Sequence, residues 1–206
     1  MRRLSTQTGH VSLGGSARRN TSHCVALLFV SAFLISPQCA HSQAGDLNEY
    51  QVKAAFLFNF AKFIEWPAGT YSSPQAPFTI CIFGKDPFGK MLDEALAGKS
   101  MNNHPVTILR LKDDTEMRHC QMVFVSSSES RSYTEILEKV RGTSVLLVGE
   151  TDGFAAAGGM IEFLLEDNHV RFAINPDATQ RAGLKCSSSL LALAKIVHDA
   201  ASNAKS

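Results

Sequence analysis

Three consecutive serines, Ser126-Ser127-Ser128, follow the apolar run Met122 to Val125 (MVFV). The end of a strand is where open α/β sheets place ligands. A serine nucleophile also needs a paired base and an oxyanion hole, and no Gly-x-Ser-x-Gly elbow surrounds these three. Glu129 and Asp152 follow two different strand ends and can face one crevice, beside Ser126 and Glu150; paired carboxylates such as Glu129 and Asp152 would do acid–base work. The chemistry open to this set is hydrolysis, or small-molecule binding near Ser126 and Asp152. Charges in such loops are more often simply solvated, so the set predicts no catalytic residue.

Other chemistry is thinner. Gly84-Lys85-Asp86-Pro87-Phe88-Gly89-Lys90 has the look of a phosphate loop but not its spacing. Pro87 also removes an amide that such a cradle would use. A turn that starts a helix explains it better. No Gly-x-Gly-x-x-Gly supports a dinucleotide, and nothing else asks for a cofactor. His104, His119, His169 and His198 lack ligand spacing, and Cys81 and Cys120 lack a Cys-x-x-Cys context, so no metal is expected.

Five cysteines are present, and Cys24 and Cys39 fall in an N-terminal leader. The remaining Cys81, Cys120 and Cys186 allow three pairings in an oxidising compartment. Cys81 lies inside an apolar strand and Cys120 just before another. Adjacent strands bring Cα atoms within the roughly 4.4–6.8 Å a disulfide needs. Cys81–Cys120 is therefore the expected bond, as a staple or, if exposed, as a redox sensor. Cys186 sits in a late amphipathic pattern and reads as a buried thiol.

These residues need elements to hold them. Asp46 to Ile64 reads as a helix, with Asp46 or Asn48 as cap and Val52, Phe56, Phe60 and Phe63 as its packed stripe. Leu57 and Phe58 widen that stripe, so burial on more than one side is expected. Phe78 to Phe83 (FTICIF), Val106 to Leu111, Met122 to Val125 and Ser144 to Val148 read as strands. Phe88 to Leu96 and Ser132 to Val140 read as the helices between them. Met160 to Leu165 and Val170 to Ile174 flank Asp167-Asn168, which is hairpin-turn chemistry. Pro176 to Ala182 and Ser187 to Ala200 close the chain as helices, the last with Leu190, Leu191, Ala194 and Val197 as its core stripe. The alternation predicts an α/β fold: one domain, with a mixed, mostly parallel sheet of about six strands flanked by helices.

Residues 1–44 read as a signal peptide and 45–206 as the domain. Arg18 and Arg19 precede an apolar run of 11 residues, Val25 to Ile35, which is too short to span a bilayer. Small residues follow, and cleavage is expected after Ala44. The leader carries four of the 20 Lys and Arg and no acid, leaving 16 cations against 19 Asp and Glu. A mildly acidic chain offers nucleic acid no basic patch. No other stretch is long enough for a membrane span, so a periplasmic location is expected.

One late stretch suits protein binding, since Arg and aromatic residues are favoured interface anchors. It holds Arg171, Phe172, Asn175, Pro176, Gln180, Arg181 and Leu184. Strand alternation places Phe172 and Leu184 equally well in a core.

Val52 to Pro67 (VKAAFLFNFAKFIEWP) resembles the opening signature of the YfiR family. The resemblance continues at Cys81, Asp86-Pro87-Phe88-Gly89, Arg118-His119-Cys120-Gln121, Gly149 to Gly153, and Gly158-Gly159-Met160-Ile161. It runs on through Leu165 to Asn168, Val170-Arg171-Phe172 and Ala182-Gly183-Leu184-Lys185. It covers Glu49 to His198. It implies a periplasmic α/β protein that forms homodimers and represses an inner-membrane diguanylate cyclase by binding its periplasmic part. An outer-membrane lipoprotein relieves that repression, and the output is cyclic-di-GMP, hence biofilm and motility. Some members carry a second, closely spaced disulfide after the fourth strand. Here Val148 to Gly159 holds no cysteine, and Cys186 stands where the pattern has an aliphatic residue.

Overall fold

Strand β2 (Phe78–Phe83) shows why the sheet forms where it does. Its run is buried along nearly its whole length, as parallel strands covered on both faces must be. Phe78, Ile80 and Ile82 point to one apolar cluster and Cys81 to another on the opposite face. β5 (Met122–Val125) and β6 (Leu146–Gly149) divide their side chains the same way. A computed structural model of the chain describes residues 41–199, with side chains from 48 onward. The predicted leader and its cleavage point lie outside the residues so described.

The other strands are β1 (Ile64–Glu65), β3 (Ser100–Met101), β4 (His104–Leu111), β7 (Ile161–Glu166), β8 (His169–Ile174), β9 (Lys185–Cys186) and β10 (Lys195–Ile196). The main sheet has eight strands in the order β10-β8-β7-β6-β5-β2-β4-β3, and β1 pairs with β9 separately. β4, β2, β5, β6 and β7 run parallel, and β7–β8 is an antiparallel hairpin. The hairpin turn is Asp167-Asn168, both at positive φ (50° and 59°), the conformation a two-residue hairpin turn demands.

The fold class is the expected one, with more strands than the six expected. The additions β3 and β10 have two residues each, too short for any periodic signal. β10 also corrects the last predicted helix. Only α5 (Ser188–Leu191) is helical there, begun by Ser187 Oγ accepting Leu190 N–H. Beyond it the chain extends beside β8, where Val197 N–H reaches Ile174 O at 2.9 Å. The predicted stripe still faces inward, with Leu190 buried and Leu191 and Ala194 packed against the core, but a short helix and an edge strand carry it in place of one long helix.

Helix α1 (His41–Phe63) begins ahead of Asp46 and Asn48, so neither caps it. Its buried apolar residues are Ala54, Leu57, Phe58, Phe60 and Ala61, with Lys53 buried beside them, while Val52 and Phe63 face outward. The aromatic stripe is thus rotated from the predicted one, because α1 packs at once on α2 (Lys90–Leu96), β8 and α5. α1 and α2 cover one face of the sheet. On the other, α3 (Tyr133–Lys139) and the 3₁₀ turn Asp114–His119 supply Ile136 and Met117 to the second cluster. α4 (Pro176–Arg181) follows β8 directly.

Candidate functional site

The carboxyl ends of β2, β5 and β6 form the crevice the serines suggested. β2 has β4 on one side and β5 on the other, so the chain changes direction across it, the place where open α/β sheets bind ligands. Here the chain fills that place itself. Lys53 of α1, 5% exposed, sits 2.8 Å from Glu150 Oε2 and 2.6 Å from Glu49 Oε1. Tyr50 donates its hydroxyl to Glu150 Oε2 (3.1 Å), and Ser127 N–H donates to Oε1 (3.2 Å). The Tyr50 ring meets Phe88 edge-on, with Lys53 Nζ 4.6 Å from its centroid. A buried carboxylate so satisfied is a structural anchor: removing one partner of such a pair leaves a charge stranded.

The three serines are consumed locally. Ser126 is buried, with its Oγ accepting Ser128 N–H. Ser128 Oγ accepts Lys85 N–H at 2.9 Å and lies 3.0 Å from Glu129 Oε1. The β2 loop presses on it so closely that a Cβ on Gly84 would sit 2.5 Å from Ser128 Oγ. Asp152 is exposed and does not join Glu150. The histidines are elsewhere: His104 bonds Ala76 O, His169 bonds Asp167 O and His198 pairs with Asp177. Ser128 meets a carboxylate in Glu129, but a serine–histidine pair is not assembled among the described residues. Lys53 was named only as part of the family signature; a lone cation inside the apolar stretch VKAAF was the signal for its burial.

The Gly84–Lys90 turn starts α2, as expected. Asp86 Oδ1 accepts the Phe88 and Gly89 N–H groups, and Oδ2 pairs with Arg110 Nε at 2.7 Å. Arg110 also grips Asp93 and Gly89 O. The hydrogen bond from Arg110 holds the Asp93 carboxyl below the ordinary carboxylate range.

The predicted partner-binding stretch divides. Phe172, Asn175 and Leu184 are corrected to the interior. Phe172 is 4% and Leu184 2% exposed, and Phe172 packs with its ring centroid 5.0 Å from that of Phe60. Asn175 is fully buried and caps α4. Its Oδ1 accepts Ala178 N–H, and its Nδ2 donates to Ala155 O (2.8 Å) and Asp199 Oδ1 (2.7 Å). Arg171, Gln180 and Arg181 are exposed and Pro176 is half-buried. Arg181 stands on the rim of a groove of about 810 Å³ between α3 and α4, floored by Leu137, Val140, Leu147, Met160 and Ala178. It pairs with Asp199, and that bond lowers the Asp199 pKa.

Cys81 and Cys120 form a disulfide with Cα atoms 6.1 Å apart. Both are buried, which suits a staple better than a sensor open to solvent. Cys186 is a half-buried thiol 3.9 Å from Thr179 Oγ1, its pKa pushed up by burial. Among the described residues no helix is long and apolar enough to cross a membrane, and no three His, Cys, Asp or Glu gather as metal ligands would.

The fold recurs in a solved structure. A conserved domain protein from Vibrio cholerae superposes with TM-score 0.51 at 6% identity, over 72% of this chain and 60% of that one. The ABC domain from Streptococcus pneumonia, solved with L-Trp, gives 0.49 at 10% identity with the same coverage. The chain thus spans about 60% of the length of each of these two solved chains. Identities this low speak of architecture alone. The sequence speaks of kinship, for residues 50–195 match the YfiR/HmsC-like profile, from Tyr50 of the closed crevice to Lys195 of β10. The chain belongs to the YfiR/HmsC-like family, a periplasmic family whose members regulate rather than catalyse.

Proposed function

We propose that this protein, acting as a homodimer, binds the periplasmic part of an inner-membrane diguanylate cyclase and holds it inactive, lowering cyclic-di-GMP. The family match across residues 50–195 carries the reading. The strand-end crevice supports it, because Tyr50 and Lys53 occupy the position a ligand would take. Selectivity then resides on the surface, at exposed Arg171, Gln180 and Arg181 with half-buried Pro176 beside the α3–α4 groove. Repression requires only that the protein bind the inactive cyclase better than the active one. An outer-membrane lipoprotein that binds the repressor would relieve the block by competition, and the leader 1–44 would deliver the chain to the same compartment.

Deletion of the gene is expected to raise cyclic-di-GMP, and restoring the wild-type chain to return it to baseline. The Arg181→Glu chain, secreted at wild-type level, is expected to fail to restore it. An interface anchor of this kind contributes about 2 kcal/mol, which is roughly a thirtyfold loss of affinity. A deletion strain with unchanged cyclic-di-GMP removes the cyclase from the account. Full restoration by Arg181→Glu moves the interface off α4.

A further inference from the structure

β4 is paired along one side only. Val106 to Leu111 lie in register with Phe78 to Phe83 of β2. On the other side β3 reaches only His104 and Pro105, and Val106 N–H bonding Lys99 O at 3.0 Å ends that contact. From Thr107 to Leu111 the outer edge has no strand partner among the described residues. An open edge is a row of unpaired N–H and C=O groups, a template for another strand.

Proteins normally guard such an edge with charge, proline or a cover. The guards here stand at the ends, Pro105 before the window and Lys112 after it. The charge within the window is turned away, since the Arg110 guanidinium is held by Asp86, Asp93 and Gly89 O on the α2 side. In the middle stands Leu109, 46% exposed. Its side chain is on the disulfide face, opposite Cys81 in register.

We infer that the Thr107–Leu111 edge of β4 is an interface between two copies of this chain, paired antiparallel about a two-fold axis at Leu109. The window chooses the register. Two copies of a five-residue window bounded by β3 overlay fully only when centred on its middle residue. Leu109 then meets Leu109 of the second copy, Thr107 meets Leu111 and Ile108 meets Arg110. No like charges stand directly opposite, the pairing that destabilises a sheet. Centring on Arg110 would oppose two guanidinium groups, and centring on Ile108 would drive Leu111 toward Pro105 and β3. The joined sheet would be continuous across both copies. This places the homodimer of the proposed function on a named strand, but it stands or fails without the cyclase.

Opposed residues of an antiparallel pair lie about 4.5–5.5 Å apart at Cα, within disulfide range. In a Cys186→Ser background, Leu109→Cys is expected to give a covalent dimer under mild oxidation. Thr107→Cys, about four residues from its own counterpart in this register, is expected to stay uncrosslinked. Sedimentation of the secreted wild-type chain should show a dimer, and Leu109→Lys should weaken it at least tenfold with the circular dichroism unchanged. A monomeric wild type, a Leu109→Lys dimer of undiminished affinity, or equal crosslinking at both cysteines overturns the inference. So does a monomer whose edge pairs only with an extended peptide from another protein. None of these outcomes bears on cyclic-di-GMP, so failure here is distinct from failure of the cyclase reading.

Discussion

The Phe154 ring is held between two glycines. A Cβ on Gly149 would lie 2.6 Å from it and one on Gly159 2.3 Å. The loop carrying it is fixed by buried Glu162, whose oxygens accept the Gly153 and Ala155 N–H groups at 2.8 and 2.9 Å. Phe154 itself is fully buried in the disulfide-face cluster, so it has no free direction in which to yield. Gly159→Ala is therefore expected to destabilise by about 1–3 kcal/mol, the usual cost of overfilling a packed core. The urea midpoint measures it; a midpoint equal to wild type would mean the ring can move. Gly158-Gly159 was visible in the chain as punctuation, but what Gly159 touches is set by a residue five positions earlier folding back on it. The same holds for Lys53. Its type and position were plain, and so was Glu49 one turn back, while its second carboxylate partner lies 97 residues away, on a strand end that only the finished sheet brings near.

Among elements, the parallel strands were legible because burial on both faces leaves continuous apolar runs. The β7–β8 hairpin was legible because Asp-Asn tolerates positive φ. The two-residue strands and the last helix were not, since four apolar residues spaced for a helix also suit a short turn followed by an edge strand. Of the predicted partner surface, Arg171, Gln180 and Arg181 stayed outside, with Pro176 half-buried, while Phe172, Asn175 and Leu184 turned inward. Alternation could not decide which face of β8 was wet. The Cys81–Cys120 bond ties the middle of β2 to the entry of β5 across 39 residues. On the chain-entropy account its loss costs about 4 kcal/mol. Cys81→Ala/Cys120→Ala is expected to lose close to that in urea, with wild-type circular dichroism at zero denaturant. A loss under about 1 kcal/mol would show that the strands need no staple.

At the scale of the whole molecule, the sheet is a wall between two apolar clusters, and ion pairs tie the surrounding helices to it. Arg110 joins β4 to α2 through Asp86 and Asp93, and Arg181 joins α4 to the last described residue, Asp199. The Arg181 bond is the largest influence lowering the Asp199 pKa, and the Arg110 bond plays that part for Asp93. A carboxyl lowered on folding adds stability above its unfolded pKa, near 3.9, and loses it as pH falls through the lower folded value. The stability gap between wild type and Asp199→Asn is thus expected to be constant from pH 7 to about 5. It should shrink steadily below pH 4 in urea titrations at stepped pH. A gap that persists to pH 2 would assign the effect to the lost hydrogen bonds rather than to the charge.

Asp199 also answers one of the two N–H groups on the interior carboxamide of Asn175. A chain terminated at His198 would therefore keep every strand and helix yet leave a donor stranded beneath α4. For anyone trimming or tagging this protein, a cut ahead of that aspartate removes the partner of an interior amide, at a residue that looks dispensable on paper.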